Sequence, residues 1–392
     1  MGHHTLELGR MHAELARIAD AWRSQRTERL RRRHLEQADF ERLRASGLTL
    51  LPVLAEQGGG WVDARSSTAA MCRALRALAA ADPSPALVSA MHPAVLVFWM
   101  ASPDPSTTWQ DQRHAVSATA AAGAQWGTVT SEPGSGGDIA RTRTRAVTAP
   151  DGLLPDVDVP GRRYLLSGDK HFGSGTGVCS YMLTTAVPEG ESEPAAFFLD
   201  TRALAAGGHV PGLSIAREWD GVGMAATQSH AVQLDRCPAV RLEWPGEVGG
   251  LTLNVAAINA ALFTSVVLGI VDEAMSEARQ HLAPRSDSMR TYERAEWTRA
   301  DCDYWLACQA YDGLLRTIET GDAHQSLRAG LRCKATVAEL AEQTLLRITR
   351  VLGGGTFSSS SPFSAWCQDV RALGFLRPPW GLAHEGLFAT SF

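Results

Sequence analysis

The sequence predicts an α+β protein in which a helical N-terminal domain, a middle antiparallel β-domain and a C-terminal four-helix bundle follow one another along the chain. Apolar residues recur at helical spacing in the first and last parts, whereas the middle part holds short β-compatible runs between Gly, Pro and Asp clusters. Helical and strand patterns do not alternate, and no G-x-G-x-x-G sequence follows a first strand. A doubly wound nucleotide-binding fold is therefore excluded.

The N-terminal helical domain is predicted over residues 1–122. Between Leu35 and Leu48 apolar side chains return about once per helical turn, and Gly47 is of the residue type that commonly ends a helix. The stretch Ala86–Met100 predicts a further helix, interrupted or restarted near Pro93, because proline cannot donate the helical hydrogen bond.

The middle β-domain is predicted over residues 123–243. Its β-compatible runs are short and are separated by turn residues such as Ser167-Gly168-Asp169, as expected of an antiparallel sheet of modest size. The predicted strands are Thr142–Val147, Arg163–Leu166, Tyr181–Val187, Ala195–Leu199 and Ala231–Leu234.

The C-terminal bundle is predicted over residues 244–392. Three long apolar stripes at helical spacing cover Leu253–Gln280, Tyr292–Thr320 and His324–Leu352. The last stripe ends at Gly353-Gly354-Gly355, which stops a helix. Long helices with short joins are typical of a helical bundle.

Composition and charge narrow the class of partner. The chain has 392 residues, a net charge of -5 and a pI of about 6.2, so no global charge favours nucleic acid or an anionic membrane. The basic run Arg29–Arg33 lies at helical spacing beside Glu28 and Glu36 and predicts a solvated helix face. The longest apolar run, Ala260–Val271, is shorter than the ~20 residues that span a bilayer. We expect no nucleic-acid or membrane partner.

The cysteine and histidine pattern points to the cytoplasm and away from a metal. Seven scattered cysteines without a C-x-x-C pair indicate reduced thiols rather than a disulfide framework. His and Cys do not cluster at zinc-like spacing, so no metal site is predicted. The amphipathic, charged N-terminal stretch is unlike a signal peptide.

Four motifs in order resemble those of the acyl-CoA dehydrogenase family, and together they cover nearly the whole chain. SEPGSGGD at 131–138 resembles the family's T-E-P-G-A-G-S-D turn, and SGDKHFGSG at 167–175 resembles its N-G-x-K-x-W-I-T-N segment. The stretch from Trp219 to Pro238 resembles G-x-R-x-(S/T) followed by F-D-x-V-x-V-P, and Leu352–Gly354 with Gln368–Arg371 resembles F-G-G and R-D-x-R/K. The resemblance implies an acyl-CoA dehydrogenase-like fold and bound FAD.

The first two motifs carry the implied flavin site. An isoalloxazine ring needs hydrogen-bond donors along one edge and an apolar wall. By the resemblance, Thr128 and Ser131 supply donors, Gly136 and Gly137 allow a sharp turn and close approach, and Phe172 and Ser174 supply an aromatic ring and a hydroxyl.

The C-terminal half carries the implied site for the FAD pyrophosphate, which similar proteins bind partly with groups from a neighbouring subunit. Arg285 and the segment Arg350–Gly354, with Gly353 and Gly354 at its end, fall near those positions. The sequence departs from the family's Arg-x-x-Phe-Gly here, since Arg285 begins Arg-Ser-Asp-Ser-Met. A loop arginine without this role is the alternative for Arg285.

The family's catalytic base is missing from its usual place. Removing the α-proton of an acyl thioester needs a carboxylate, which family members place eight residues after the Asp of R-D-x-R. Counting from Asp369 gives Arg377, a cation that would attract an anionic substrate group or stabilise reduced anionic flavin. Glu385, next to His384, is the one displaced candidate for the base, and an exposed tail is the alternative for it.

Three functions remain open at this point. The first is an FAD-dependent oxidoreductase that oxidises an acyl thioester or a carrier-bound substrate with a non-standard or displaced base. The second is a two-component monooxygenase that takes reduced flavin, FAD or FMN, from a separate reductase. Flavin monooxygenases of this fold often lack the Glu, and His92, Ser131 and Ser174 are then candidates to stabilise the oxygenated flavin. The third is a non-redox descendant of the fold. The resemblance also implies a homodimer or homotetramer.

Overall fold

A computed structural model describes residues 6–102, 106–150 and 158–391. The first part is helical, and its helices are α1 (Leu8–Ser24), α2 (Arg26–Arg29), α3 (Gln37–Ser46), α4 (Ala64–Ala79), α5 (Pro83–Met100) and α6 (Thr107–Ala121). Helices α4 and α6 pack on the long apolar helix α5, and α1 packs on α4 and α3. Gly47 ends α3 in the left-handed conformation with φ of 90°, as its residue type indicates.

Helix α5 runs through Pro93 without a break, so the predicted interruption was wrong. All of its residues except Phe98 are buried, and it packs against α4, against the longest helix of the C-terminal part and against the first strand. Burial on all sides offsets the cost of an internal proline, which is about 3 kcal/mol in an exposed helix.

The middle part is a seven-stranded sheet that closes on itself, because β5 pairs with both β7 and β4. Most pairings are antiparallel as predicted, but β4 runs parallel to β1 and β2. The sequence pattern missed β1 and β6, which are only three and five residues long. The elements are β1 (Trp126–Thr128), β2 (Arg145–Thr148), β3 (Arg163–Gly173), β4 (Tyr181–Pro188), β5 (Ala195–Asp200), α7 (Arg202–Ala205), β6 (Leu213–Arg217) and β7 (His230–Arg241).

The C-terminal part contains three long helices, with three short ones packed mainly against α10 and α8. Helices α4 and α5 of the first part also pack on α8, which joins the two helical parts in one apolar core. The elements are α8 (Val248–Leu282), α9 (Thr291–Thr320), α10 (Ala323–Leu352), α11 (Pro362–Asp369), α12 (Ala372–Phe375) and α13 (Trp380–Ala389). The predicted α+β class with helical ends and a central β region is confirmed.

Helices α5 and α8 are long and apolar enough to cross a membrane by length and composition alone, which the short run Ala260–Val271 did not suggest. In the structure 94% of the apolar window of α5 and 83% of that of α8 are buried inside the protein. Such burial is what a core helix of this length requires.

The basic run Arg29–Arg33 is not a uniformly solvated face, so that prediction was wrong for Arg29. Its side chain is 4% exposed and lies within 2.6 Å of both Asp39 and Asp82. It also lies 4.5 Å from the centre of the Trp22 ring, whose Nε1 donates to Asp39. Asp82 caps the N-terminus of α5, so the cluster ties α1, α2 and α3 to the core helix.

Replacing Arg29 by methionine should lower the free energy of unfolding by about 3–5 kcal/mol, because the half-buried Asp82 loses its cation and the buried Asp39 keeps only the longer contact with Arg32. Arg31→Met in the same run is the matched control and should change it by no more than about 0.5 kcal/mol, since Arg31 is exposed. Urea denaturation followed by circular dichroism measures both. Equal effects of the two substitutions would show that the cluster does not stabilise the N-terminal part.

Candidate functional site

Three segments that are distant in sequence meet at one edge of the sheet. The loop after β1 pairs with the end of β3 through Ser131 and His171, with His171 N donating to Ser131 O over 2.7 Å. Arg377, in the segment between α12 and α13, donates from Nη2 to Ser131 Oγ over 3.1 Å. We define the candidate site as Thr128–Ser131, Phe172–Ser174 and Arg377.

A buried ion pair between Lys170 and Glu132 holds the loop after β1 against the end of β3. Lys170 Nζ lies 2.6 Å from Glu132 Oε1 and 2.6 Å from the carbonyl oxygen of Thr185, and the Lys170 side chain is completely buried. Glu132 also accepts hydrogen bonds from Thr144 Oγ1 at 2.6 Å and from the backbone N–H groups of Arg143 and Thr144. Both carboxylate oxygens are therefore committed to hydrogen bonds within the protein.

The charges of the pair are set by burial and by their mutual contact. Burial lowers the pKa of Lys170 to about 8, while Glu132 opposes the shift and Arg377 adds to it. Burial alone would raise the pKa of Glu132, but the hydrogen bonds from Lys170 and Thr144 outweigh it and the pKa lies below its ordinary value. Both groups are charged at neutral pH, as a structural ion pair requires.

Arg377 brings a positive charge to the candidate site. Burial lowers its pKa to about 10, with Asp138 opposing, so the guanidinium stays charged at neutral pH. Its Nη1 is buried and donates to none of the described residues. The next residue is held in place, because Lys334 Nζ donates to the carbonyl oxygen of Pro378 over 2.6 Å. Arg377 thus holds a buried donor that a ligand can satisfy.

Gly136 and Gly137 lie in the loop that faces the Arg377 segment, both with positive φ, of 64° and 82°. A Cβ on Gly137 would lie 2.8 Å from Pro379, whereas one on Gly136 would meet nothing within 4 Å. Gly137 is thus required for close packing against the segment, and Gly136 for the turn itself.

Phe172 presents its ring to solvent beside these polar groups. It is 58% exposed and has a φ of 59°, a conformation that aromatic residues seldom adopt. The ring contacts Trp219 edge-on at 6.1 Å and His171 at 6.0 Å. An exposed ring held in a strained turn is available as an apolar wall for a planar ligand.

Ser174 and two neighbouring hydroxyls form a buried chain. Ser174 Oγ lies 2.8 Å from Ser229 Oγ, which lies 2.7 Å from Thr227 Oγ1, and Thr227 donates to the carbonyl oxygen of Met224 over 2.9 Å. Asp369 Oδ1 in turn accepts the Met224 N–H over 2.5 Å. Burial raises the pKa of Asp369 to about 7. The hydrogen bond between Asp369 and Met224 thereby joins the last of the four sequence motifs to the third.

Thr128 and His92 lie on the inner side of the candidate site. Thr128 Oγ1 contacts Met91 Sδ of α5 at 3.9 Å. His92 is 2% exposed; its Nδ1 accepts from Trp126 N at 3.1 Å, so Nε2 carries the hydrogen and donates to Thr49 O at 3.0 Å. Burial lowers the pKa of His92 to about 4, so the ring is neutral. Both ring nitrogens are already bonded, and a catalytic role for His92 finds no support here.

The residues predicted to bind a pyrophosphate come together at one end of the bundle. Arg285 lies between α8 and α9, where it donates to Glu293 and to the carbonyl oxygen of Val351 near the end of α10. Arg350 donates to Glu296 over 3.1 Å, and a Cβ added to Gly353 or Gly354 would meet none of the described residues within 4 Å. This cluster is formed by other elements than the candidate site, and its role stays a prediction.

Glu385, the predicted displaced base, lies on α13 and is exposed. The neighbouring His384 stacks on Trp380 at 5.9 Å. The helix packs on α10, with Gly386 close to Leu331. The structure therefore gives Glu385 no contact with Ser131, Ser174 or Arg377.

The fold is that of the acyl-CoA dehydrogenase superfamily, as solved structures with that fold cover nearly the whole chain. Dibenzothiophene monooxygenase TdsC from Paenibacillus sp. A11-2, solved with FMN, matches 97% of this chain and 96% of its own with a TM-score of 0.79 and 19% identity. Nitrososynthase from Micromonospora carbonacea var. africana matches 100% of both chains with a TM-score of 0.78 and 23% identity. KijD3, solved with FMN and dTDP-3-amino-2,3,6-trideoxy-4-keto-3-methyl-D-glucose, matches 98% and 92% with a TM-score of 0.79 and 23% identity.

Sequence comparison also finds nitrososynthases, but over a shorter part of the chain. No protein-family model matches the chain. L-evernosamine nitrososynthase from Micromonospora sp. is 28% identical over 43% of this chain and 44% of its own, and amino sugar nitrososynthase RubN8 from Streptomyces rubradiris is 26% identical over 46% and 49%. The chain spans about half the length of the curated relatives it matches. The sequence comparisons thus indicate similarity to nitrososynthases, and the structural comparisons give the chain an acyl-CoA dehydrogenase-like fold.

Sequence reasoning missed the residues that support the candidate site from behind. It gave no role to Lys170, Glu132 or Asp369, although each lies inside one of the four motifs. A lone Lys and a lone Glu 38 residues apart give no sequence signal of pairing. Thr227 and Ser229 lie in a loop without periodicity, and only the structure brings them to Ser174.

The neutral state of His92 predicts a pH dependence of stability. Its pKa is about 4 in the folded protein and about 6.5 in the unfolded chain, so the stability it permits is fully present above pH 6.5 and is lost as the pH falls to 4. At about 1.4 kcal/mol per pKa unit, this loss is about 3 kcal/mol. Urea denaturation between pH 7 and 4 should show a shallower pH dependence for His92→Gln than for the unaltered protein. The exposed His114→Gln is the control, and an unchanged slope in His92→Gln would contradict the prediction.

Proposed function

We propose that the protein is a flavin-dependent oxidoreductase that works as a monooxygenase on reduced flavin and O2. The observation that carries the proposal is the hydrogen bond from the Arg377 guanidinium to Ser131. Arg377 occupies the sequence position at which a dehydrogenase of this kind needs a carboxylate base. Glu132 is committed to Lys170 and Thr144, and Glu385 is exposed on α13. Neither carboxylate is set to remove a proton from a substrate carbon at the candidate site.

The described residues fit a flavin ring. The exposed Phe172 ring offers an apolar wall, Ser131 and Ser174 offer hydroxyls, and the buried Nη1 of Arg377 is a donor with no partner among these residues. A donor of this kind suits the negative charge that a flavin ring carries at N1 and O2 after reduction. We propose FMN or FAD as the cofactor, with the cluster of Arg285 and Arg350 as a second contact for its phosphates, shared between subunits.

The chemistry supplied by a bound reduced flavin is the two-electron activation of O2, with one oxygen atom going to the substrate and the other leaving as water. In this chain Arg377 and Ser131 would stabilise negative charge on a bound flavin, Phe172 would supply an apolar wall for its ring, and Ser174 would orient a further hydrogen bond to it. The substrate that we propose is a small molecule with an oxidisable nitrogen or sulfur, by similarity to enzymes whose names refer to amino sugars and dibenzothiophene.

We further propose a cytoplasmic enzyme that receives its flavin from a separate reductase and assembles as a homodimer or homotetramer. All seven cysteines are free thiols, which suits a reducing compartment. The exposed rings of Trp305 on α9 and of Phe375 and Phe388 near the C-terminus would be covered in an assembly.

The monooxygenase reaction is tested by exposing the protein, loaded with chemically reduced FMN, to ¹⁸O2 in the presence of a nucleotide-linked amino sugar, a sulfur heterocycle or an acyl thioester. We expect one ¹⁸O atom in the nitrogen or sulfur substrate by mass spectrometry. Anaerobic bleaching of bound flavin by the thioester would instead establish a dehydrogenase. In that case Glu385→Gln should abolish the bleaching if Glu385 is the base.

Replacing Arg377 by leucine should weaken binding of reduced FMN about 10- to 100-fold, because a hydrogen bond to a charged group contributes about 1.5–3 kcal/mol. Arg377→Lys should recover part of the loss, since it keeps the charge but not the planar fork. Anaerobic fluorescence titration measures the Kd. The control is Arg371→Leu, at an exposed arginine nearby that bonds only to Gln368 among the described residues. Unaltered flavin affinity with a raised KM for the substrate would assign the cation to the substrate instead.

A further inference from the structure

The buried hydroxyl chain of Ser174, Ser229 and Thr227 has a fixed direction. Each of its contacts is short enough to need one hydrogen between the two oxygens, at 2.8 Å, 2.7 Å and 2.9 Å. The last acceptor is the carbonyl oxygen of Met224, which cannot donate. The Thr227 hydrogen therefore points to Met224.

The direction propagates back to the candidate site. Because Thr227 has given its only hydrogen to Met224, Ser229 must donate to Thr227, and Ser174 must then donate to Ser229. The far end of the chain is held firmly, since Asp369 binds the Met224 N–H, and Trp219 Nε1 and the Thr227 N–H also donate to Met224 O, both over longer distances than the Thr227 hydroxyl. Ser174 is left with lone pairs only, and it accepts from any ligand at the site.

Ser131 has the opposite polarity. A guanidinium only donates, so the Ser131 oxygen accepts from Arg377 and keeps its own hydrogen. The candidate site thus presents one hydroxyl donor, at Ser131, and one hydroxyl acceptor, at Ser174. The two serines lie at the same sheet edge, because Ser131 pairs with His171 three residues before Ser174.

This pair of polarities matches one redox state of a flavin. In oxidised flavin both N1 and N5 are acceptors, whereas two-electron reduction places a hydrogen on N5 and negative charge at N1. We propose that Thr227 and Ser229 are positioning residues that fix Ser174 as an acceptor, so that the site binds reduced flavin in preference to oxidised flavin. The proposal rests on the proposed function, since it needs flavin as the ligand.

The test measures the Kd of the full-length protein for oxidised and for chemically reduced FMN, under nitrogen, by fluorescence titration. The unaltered protein should bind reduced FMN several-fold more tightly. In Ser229→Ala the Ser174 hydrogen is released to a ligand, and in Thr227→Val the direction of the chain is no longer fixed. Each substitution should lower the ratio of the Kd for oxidised FMN to the Kd for reduced FMN about 3- to 10-fold, which is the effect of one hydrogen bond. A tenfold change lowers the midpoint potential of the bound flavin by about 30 mV, which spectroelectrochemistry measures independently.

Thr344→Val is the matched control, because Thr344 is equally buried and also donates to a backbone carbonyl, but within α10 of the bundle. It should leave the ratio and the potential unchanged. Equal loss of both affinities in Ser229→Ala and Ser174→Ala, with the ratio constant, would overturn the proposal and leave the flavin function standing. That result would mean that Ser174 faces a flavin group unaltered by reduction. Failure of the unaltered protein to bind FMN in either state would overturn both proposals.

Discussion

The buried contact between Lys170 and Glu132 determines the geometry of the candidate site. It joins the loop after β1 to the end of β3, and these two segments carry Ser131 and Phe172–Ser174. A buried ion pair adds little net stability after desolvation, but removing one partner leaves an uncompensated charge. Its hydrogen bonds to Thr144, Arg143 and Thr185 satisfy both ions, so the arrangement has one low-energy geometry. The exposed Phe172 turn, with its positive φ, is held against that rigid base.

Arg377 changes the chemistry available at the candidate site from proton removal to the stabilisation of negative charge. In a dehydrogenase the position calls for a group that takes a proton, whereas a guanidinium with a pKa of about 10 cannot act as a base near neutrality. The cation instead suits a site where negative charge accumulates on the ligand. Burial is the main cause of the lowered pKa of Lys170; Arg377 lowers it further, and Glu132 opposes both effects. The charge of Arg377 itself is favoured by Asp138, which opposes the effect of burial on its pKa.

Much of the fold could be predicted because it follows from local patterns. The long stripes of the bundle gave α9 and α10 to within one residue at each end, and four motifs in order indicated the acyl-CoA dehydrogenase-like fold. The errors arose where tertiary packing outweighs local preference. Pro93 is accommodated because α5 is buried on all sides, and Arg29 is buried because Asp39 and Asp82 converge on it. Strands β1 and β6 are too short for periodicity to register, and their pairing partners are distant in sequence.

In the candidate site, the sequence indicates which residue types are present, but it does not indicate which neighbours they bond to. A motif can indicate that a serine occurs at a given place, but a hydroxyl both donates and accepts, so its role depends on what surrounds it. For Ser174 that role is decided three residues along a hydrogen-bond chain, at the carbonyl of Met224, and for Ser131 it is decided by Arg377, 246 positions away in sequence. Two serines of the same type thus acquire opposite polarity. The chemistry of this edge depends on these surroundings at least as much as on the motif residues themselves.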